Sequence, residues 1–177
     1  MRIQDIEYSA DGASMIGQLA VDDARPGKRP GVLVCHEGPG LTDHTKKIVR
    51  RLAELGSAAF AMDYHGGGKP LANPTETQPR LAVWRADPTG IRARAAAALE
   101  VLKAQPETDT ARLAATGYCF GGTVDWRLQL YGGAGHSFTN PASDSRGMKG
   151  FFYHQATDRR SWYAMIEPFN ETLGATK

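Results

Sequence analysis

Apolar and polar positions change their period several times along the chain, and each change marks an element. "IEYSA" and "ASMIGQLAV" flank Asp11-Gly12, so they are expected to form an N-terminal antiparallel hairpin. "PGVLVCHE" is a short, β-branched apolar run without alternation, the pattern of a strand covered on both faces in a parallel sheet. From Thr42 or Asp43 the period becomes helical. Ile48, Leu52 and Leu55 fall on one face, and Gly56 ends the segment. "SAAFAMDY" predicts a second buried strand. The following "HGGGKPLANPTETQP", rich in Gly, Pro and Thr, reads as a long surface loop of the kind that borders active sites.

Asp87-Pro88 predicts the start of another helix, with Asp as cap and Pro where its missing N–H matters least. Ile91, Ala95, Leu99 and Leu102 form its stripe, and it ends near Gln105-Pro106. "ARLAATGYCFGG" predicts a third strand running straight into a glycine turn, and "SWYAMIEPFNETL" a final helix that Pro168 ends or kinks. Strands alternating with helices define an α/β fold, a mostly parallel sheet flanked by helices and preceded by the hairpin.

The 177 residues suit a single domain, 1–177, with a sizeable core. Lys plus Arg number 21 against 19 Asp plus Glu, a net charge of +2 without a basic run, which argues against a nucleic-acid partner. Neither a signal-peptide h-region nor a run of about 18 apolar residues occurs, so the expectation is a soluble, cytoplasmic protein with no membrane partner. Cys35 and Cys119 lie far apart with no CxxC spacing, which points to free thiols and not to a disulfide framework or zinc ribbon.

Candidate chemistry centres on "GYCFGG", residues 117–122. Gly-x-Cys-x-Gly-Gly is the cysteine form of a nucleophile elbow, a tight strand-to-helix turn whose flanking positions must be small. There the N–H of Phe120 would face a developing oxyanion, and a following helix would lower the pKa of the thiol. The alternative is a small buried Cys in a glycine-rich loop. His136, in "YGGAGHSF", is the natural base, because it follows the nucleophile in chain order on a loop after a late strand. His36 and Glu37 close the first parallel strand, where sheet ends line a ligand crevice. There Glu37 would hold or polarise the thiol and Gly38 would supply a second oxyanion N–H; otherwise His36 and Glu37 are ordinary exposed loop residues.

Other signals carry less. "HGGGK" lacks the Ser or Thr that a P-loop needs, with Pro70 in its place, and lies after the wrong strand for a lipase oxyanion loop. Cys35, His36 and His136 are too scattered to define a metal site. Arg80, Trp84 and Arg85, expected on the long loop, sit where a substrate carboxylate or acyl group could be met, or are ordinary surface or hinge residues.

"VCHEGPGLTDHTK", "GYCFGG" and "DWRLQLYGGAGHSFTNP", in that order, resemble the dienelactone hydrolase family of α/β-hydrolases. The resemblance implies Cys119 as nucleophile, His136 as base and Glu37 as the carboxylate that switches the thiol on when substrate binds. It also implies hydrolysis of a small ester or lactone through an acyl-thioester, without metal or organic cofactor. The chain departs from the family in two places. Asn140 stands where the dienelactone enzymes carry an Arg that grips the substrate carboxylate.

In addition, only 17 positions separate Cys119 from His136, where the family has several tens of residues, so the fold is shortened after the elbow and no triad Asp is assigned. Asp125 aligns with the start of the late strand. Val124, Trp126, Leu128 and Leu130 alternate as in a strand, yet six residues between Cys119 and Trp126 are too few for a parallel crossover of about a dozen. The segment either replaces the elbow helix or docks elsewhere. Apolar surface uncovered by the missing helix would favour a homo-oligomer. A catalytically inactive remnant or binding module of the same fold is the alternative function.

Overall fold

Asp11 and Gly12, at φ 52° and 69°, form the tip of the hairpin between β1 (Arg2–Ala10) and β2 (Ala13–Val21). Two successive positive φ values give the turn the hand that suits twisted strands, and the pairing runs unbroken from Ala10↔Ala13 to Arg2↔Val21. The structure is a computed structural model that describes residues 1–122, 131 and 133–174. Val124, Asp125, Trp126, Leu128 and Leu130 lie outside the described residues. The chain divides into two compact units, Met1–Gly122 and Thr123–Ala175, and each is described by itself.

In the first unit, β3 (Arg29–Cys35), β4 (Ala58–Ala61) and β5 (Thr108–Gly117) join the hairpin in one sheet of order β1-β2-β4-β3-β5. β3 runs parallel to β4 and β5, while β2 meets β4 antiparallel. The non-alternating apolar runs are explained by burial on both faces: every residue of β4, and all of β3 before Cys35, is buried. Successive side chains point to opposite faces. Leu33, Ala58 and Phe60 join Leu81 of α2 (Pro74–Ala86) and Ala98 and Leu102 of α3 (Thr89–Lys103) in one cluster. Val32, Val34, Ala59 and Ala61 take the other face. α1 (Asp43–Glu54) packs on β4 and β2, burying Ile48, Val49, Leu52 and Ala53 outside that cluster.

The structure corrects four local expectations. Leu55 is the C-cap of α1 and 37% exposed, not part of its buried face, because Gly56 at φ 94° turns the chain there. The expected long loop stops at Asn73, where α2 begins. Asn73 accepts from the Glu76 N–H at 3.0 Å, and Glu76 reaches back to the Ala72 N–H at 3.2 Å and the Asn73 amide at 3.1 Å. With Pro74 as first helical residue, this local cap outweighs Pro79 in the helix interior. The stripe of α3 is rotated. Arg94, Ala98 and Leu102 are buried, whereas Ile91, Ala95 and Leu99 are only partly so.

Arg94 turns inward because its guanidinium finds partners. It donates to the Tyr64 carbonyl at 2.8 Å, stands 3.8 Å from the Asp11 carboxylate and lies 4.7 Å above the Trp84 ring. In the second unit α4 (Gln155–Leu173) starts earlier than expected and continues through Pro168. Proline there forfeits one interior hydrogen bond, and in a 19-residue helix the rest of the ladder persists. No described helix is long and apolar enough to cross a membrane.

Removing the cap of α2 tests how the helix starts. Asn73→Ala is expected to lower stability by about 1 kcal/mol, read as a fall in the urea midpoint at constant slope. An unchanged midpoint would mean that Pro74 and packing alone hold the start.

Candidate active site

The strand order decides where a site can form. β3 lies between β4 and β5, so the connection from β3 to β4 and the one from β4 to β5 run to opposite sides of β3. Such a switch point opens a crevice at the carboxyl ends of the strands. The last register pair is Cys35↔Gly117, and the Tyr118 N–H adds one more bond to the Cys35 carbonyl at 3.3 Å. Residues 36–38 and 118–119 therefore leave the sheet side by side.

Cys119 has a left-handed backbone, φ 54°, and its side chain is exposed. A 3₁₀ turn over Cys119–Gly122 follows, closed by the Gly121 N–H to the Tyr118 carbonyl at 3.0 Å. Gly121 shows why the turn needs glycine. A Cβ there would lie 2.5 Å from the Cys35 carbonyl oxygen and 2.6 Å from that of His36, backbone atoms that cannot swing away. Phe120 is buried, with its ring 5.8 Å from that of Tyr64 and the Arg85 guanidinium 5.7 Å above it. The other thiol behaves differently. Burial pushes the Cys35 pKa up to about 11, and its sulfur lies 3.5 Å from that of Met62.

His36 and Glu37 are buried, not exposed loop residues. The His36 ring stacks on Tyr64 with centroids 3.6 Å apart. Its Nε2 faces the Tyr64 N–H at 3.3 Å and must accept, so Nδ1 carries the proton and donates to the Glu37 carbonyl at 2.6 Å. With both nitrogens engaged, His36 has no lone pair left for a metal. Burial lowers its pKa to about 3, and burial also lowers that of His65. The Tyr64 hydroxyl lies 2.9 Å from both the His36 and the Glu37 carbonyl oxygens, and His65 Nε2 donates to the Gly38 carbonyl at 2.7 Å.

The "HGGGK" segment turns out to hold an anion that the chain itself supplies. Gly66, Gly67 and Gly68, at φ 95°, 74° and 68°, wrap the loop around the buried Asp63 carboxylate. One oxygen accepts from the His65 and Gly66 N–H groups, both at 2.9 Å. The other accepts from Gly68 at 2.7 Å and Ile16 at 3.2 Å. Such a nest of backbone amides suits a carboxylate as it would a phosphate. The sequence reading missed Asp63, Tyr64 and His65. The available signal was an Asp three residues before a glycine triplet.

Arg80, Trp84 and Arg85 lie on α2 and not on a loop. Arg80 donates to the His65 carbonyl at 3.2 Å, Arg85 covers Phe120, and Trp84 packs under Arg94. Glu37, Gly38, Cys119 and Phe120 thus belong to one unit together with these three. His136 belongs to the second unit, where it is exposed, its N–H donates to the Gly150 carbonyl at 2.7 Å and its ring lies 4.6 Å from that of Phe151. Ser137 beside it has φ 59°. Asn140 has local work, since its side chain accepts from the Ala142 N–H at 3.1 Å and caps a short 3₁₀ helix.

The chain belongs to the dienelactone hydrolase family, whose pattern matches residues 16–129. That span includes Glu37, Gly38, Cys119 and Phe120; His136 follows it. A protein of Methylorubrum extorquens provisionally named carboxymethylenebutenolidase is 32% identical over 105 residues, 58% of this chain and 36% of that protein. The chain therefore spans little more than a third of the length of that curated relative. A solved structure named m3DLH is 33% identical with a TM-score of 0.93, covering 97% of this chain and 98% of its own. A dienelactone hydrolase-like promiscuous phosphotriesterase from metagenomic libraries is 30% identical with a TM-score of 0.92, covering 98% and 99%.

Two measurements follow from the titratable groups. A thiol reagent at neutral pH is expected to modify one cysteine quickly in the folded protein and both after unfolding, with Cys119→Ala abolishing the fast phase. Rapid reaction of Cys35 would contradict its burial. The His36 pKa falls from 6.5 unfolded to about 3 folded, so its contribution is complete above pH 6.5 and is lost as pH falls toward 3. The urea midpoint should drop across that window, and His36→Asn should flatten the drop.

Proposed function

We propose that this chain hydrolyses a small carboxylic ester or lactone through an acyl-thioester on Cys119. One observation carries the reading: the left-handed φ of 54° at an exposed cysteine ending β5, inside the family-matched span. Holding a cysteine there, outside the turn positions where Asp and Asn adopt this backbone readily, costs about 1–3 kcal/mol, a strain that clusters at working sites.

In the reaction, His136 takes the thiol proton and the Cys119 sulfur attacks the carbonyl carbon. The carbonyl electron pair moves onto oxygen, where the Phe120 and Gly38 amides stabilise it. As the intermediate collapses, the bond to the leaving oxygen breaks and His136 returns the proton to the departing alkoxide. Water, deprotonated by His136, then attacks the thioester carbonyl, releasing the acid and the free thiol.

Glu37 acts as the family resemblance implies, turning the thiol on when substrate is present. Arg85, with Arg80 and Trp84 on the same helix, is assigned to the substrate's acyl or carboxylate end. Every step draws on these groups and water, so the reading includes no metal or organic cofactor. It places the protein in the cytoplasm, as one domain capable of self-association.

A second reading, an inactive remnant or binding module, is favoured by the 17 positions between Cys119 and His136 and by their membership of different units. One assay separates the two. An activated aryl ester should give a burst of released alcohol that Cys119→Ala abolishes, and the thiol should ionise well below the ordinary value of about 8.5. No burst, or an equal burst from the variant, supports the remnant. Because one relative is named a promiscuous phosphotriesterase, an activated aryl phosphotriester is the second substrate to assay.

A further inference from the structure

We infer that Tyr64, His36 and His65 are positioning residues that fix the direction of the Gly38 N–H by holding three consecutive peptide carbonyls. The inference rests on the reading of Gly38 as an oxyanion donor. It begins with the planarity of the peptide group. In a trans peptide the C=O and the N–H of the next residue point in opposite directions, so holding the oxygen sets the hydrogen.

The Glu37 carbonyl, which shares its peptide plane with the Gly38 N–H, is held unusually firmly. The protonated Nδ1 of His36 donates to it at 2.6 Å, the Gly40 N–H donates at 3.0 Å, and the Tyr64 hydroxyl lies at 2.9 Å. The single Tyr64 hydroxyl proton is shared with the peptide before it, whose His36 oxygen is also 2.9 Å away. The peptide after it is held through the Gly38 oxygen by His65 Nε2 at 2.7 Å. Three carbonyls in a row thus face the buried aromatic cluster, and the Glu37 and Gly38 N–H groups face away from it.

The holders are themselves fixed. Tyr64 and His36 are completely buried and stacked on one another, and His36 accepts from the Tyr64 N–H. His65 is seated by its own N–H on the Asp63 carboxylate. Burial keeps the two imidazoles neutral and the phenol protonated at working pH, so the array stays in one protonation state. Gly38 itself is confined, since a Cβ there would lie 2.9 Å from Leu81 of α2. A donor fixed before substrate arrives needs no reorganisation as charge develops, which is the condition for stabilising a transition state more than a ground state.

Tyr64→Phe keeps the stacked ring and removes only the hydroxyl. On an activated aryl ester its kcat is expected to fall about tenfold or more while KM stays within about twofold. The Gly38 amide cross-peak in a nitrogen–proton NMR spectrum should move. His65→Gln, whose amide can reach the same carbonyl, should stay within about threefold of wild type in kcat, whereas His65→Leu should lose about as much as Tyr64→Phe.

Wild-type kcat in Tyr64→Phe and His65→Leu, or losses confined to KM, would overturn the inference. If Tyr64→Phe does not fold, the two His65 variants decide. If the wild-type protein turns over no ester, the hydrolase reading falls; the positioning role then stands or falls on the Gly38 cross-peak, which must move in the folded variants.

Discussion

The contact of backbone on backbone where the turn after β5 meets the end of β3 sets the rest of the site. Gly121 can approach the Cys35 and His36 carbonyls only because it has no side chain, and that approach fixes the elbow against the loop carrying Glu37 and Gly38. The parallel register ending at Cys35↔Gly117 brings both segments out of the sheet at one level. A shift of one residue would turn every side chain of β5 to the opposite face and move Cys119 away from the loop. The chemistry assigned to Cys119 therefore depends on a sheet register.

The same corner is unusually rich in buried polar groups, and the chain satisfies them with its own backbone. Asp63 receives four amide hydrogens, while His36, His65 and Tyr64 contact the carbonyls of residues 36–38. Left unpaired, each would cost about 1–3 kcal/mol or more. Paired, they tie the loop after β4 to the loop after β3, two segments with no regular ladder between them.

Much of this was legible from residue patterns. The hairpin tip, the buried β3 and β4, the α1 face around Ile48 and Leu52, and the glycine-flanked Cys119 all follow from local periodicity and turn chemistry. α2 was missed because Gly, Pro and Thr suggested a loop, although Asn73-Pro74-Thr75-Glu76 is a helix start in its own right. The α3 stripe through Ile91, Ala95 and Leu99 is displaced because the Tyr64 carbonyl gives Arg94 a reason to turn inward, a partner that apolar periodicity does not register. The roles of Asp63 and His65 depend on strand order, which brings residues 36–38 and 63–68 together and which no local pattern encodes.

Arg94 also has a practical consequence. Its guanidinium joins the Tyr64 carbonyl to Asp11 at the hairpin tip, and Gly90 packs so near that an added Cβ would come within 3.2 Å of the same carboxylate. The tip looks like a convenient place to graft an epitope or splice in a reporter. It is instead a strut bearing on α3, and an insertion between Asp11 and Gly12 would be transmitted through that guanidinium to the backbone of Tyr64.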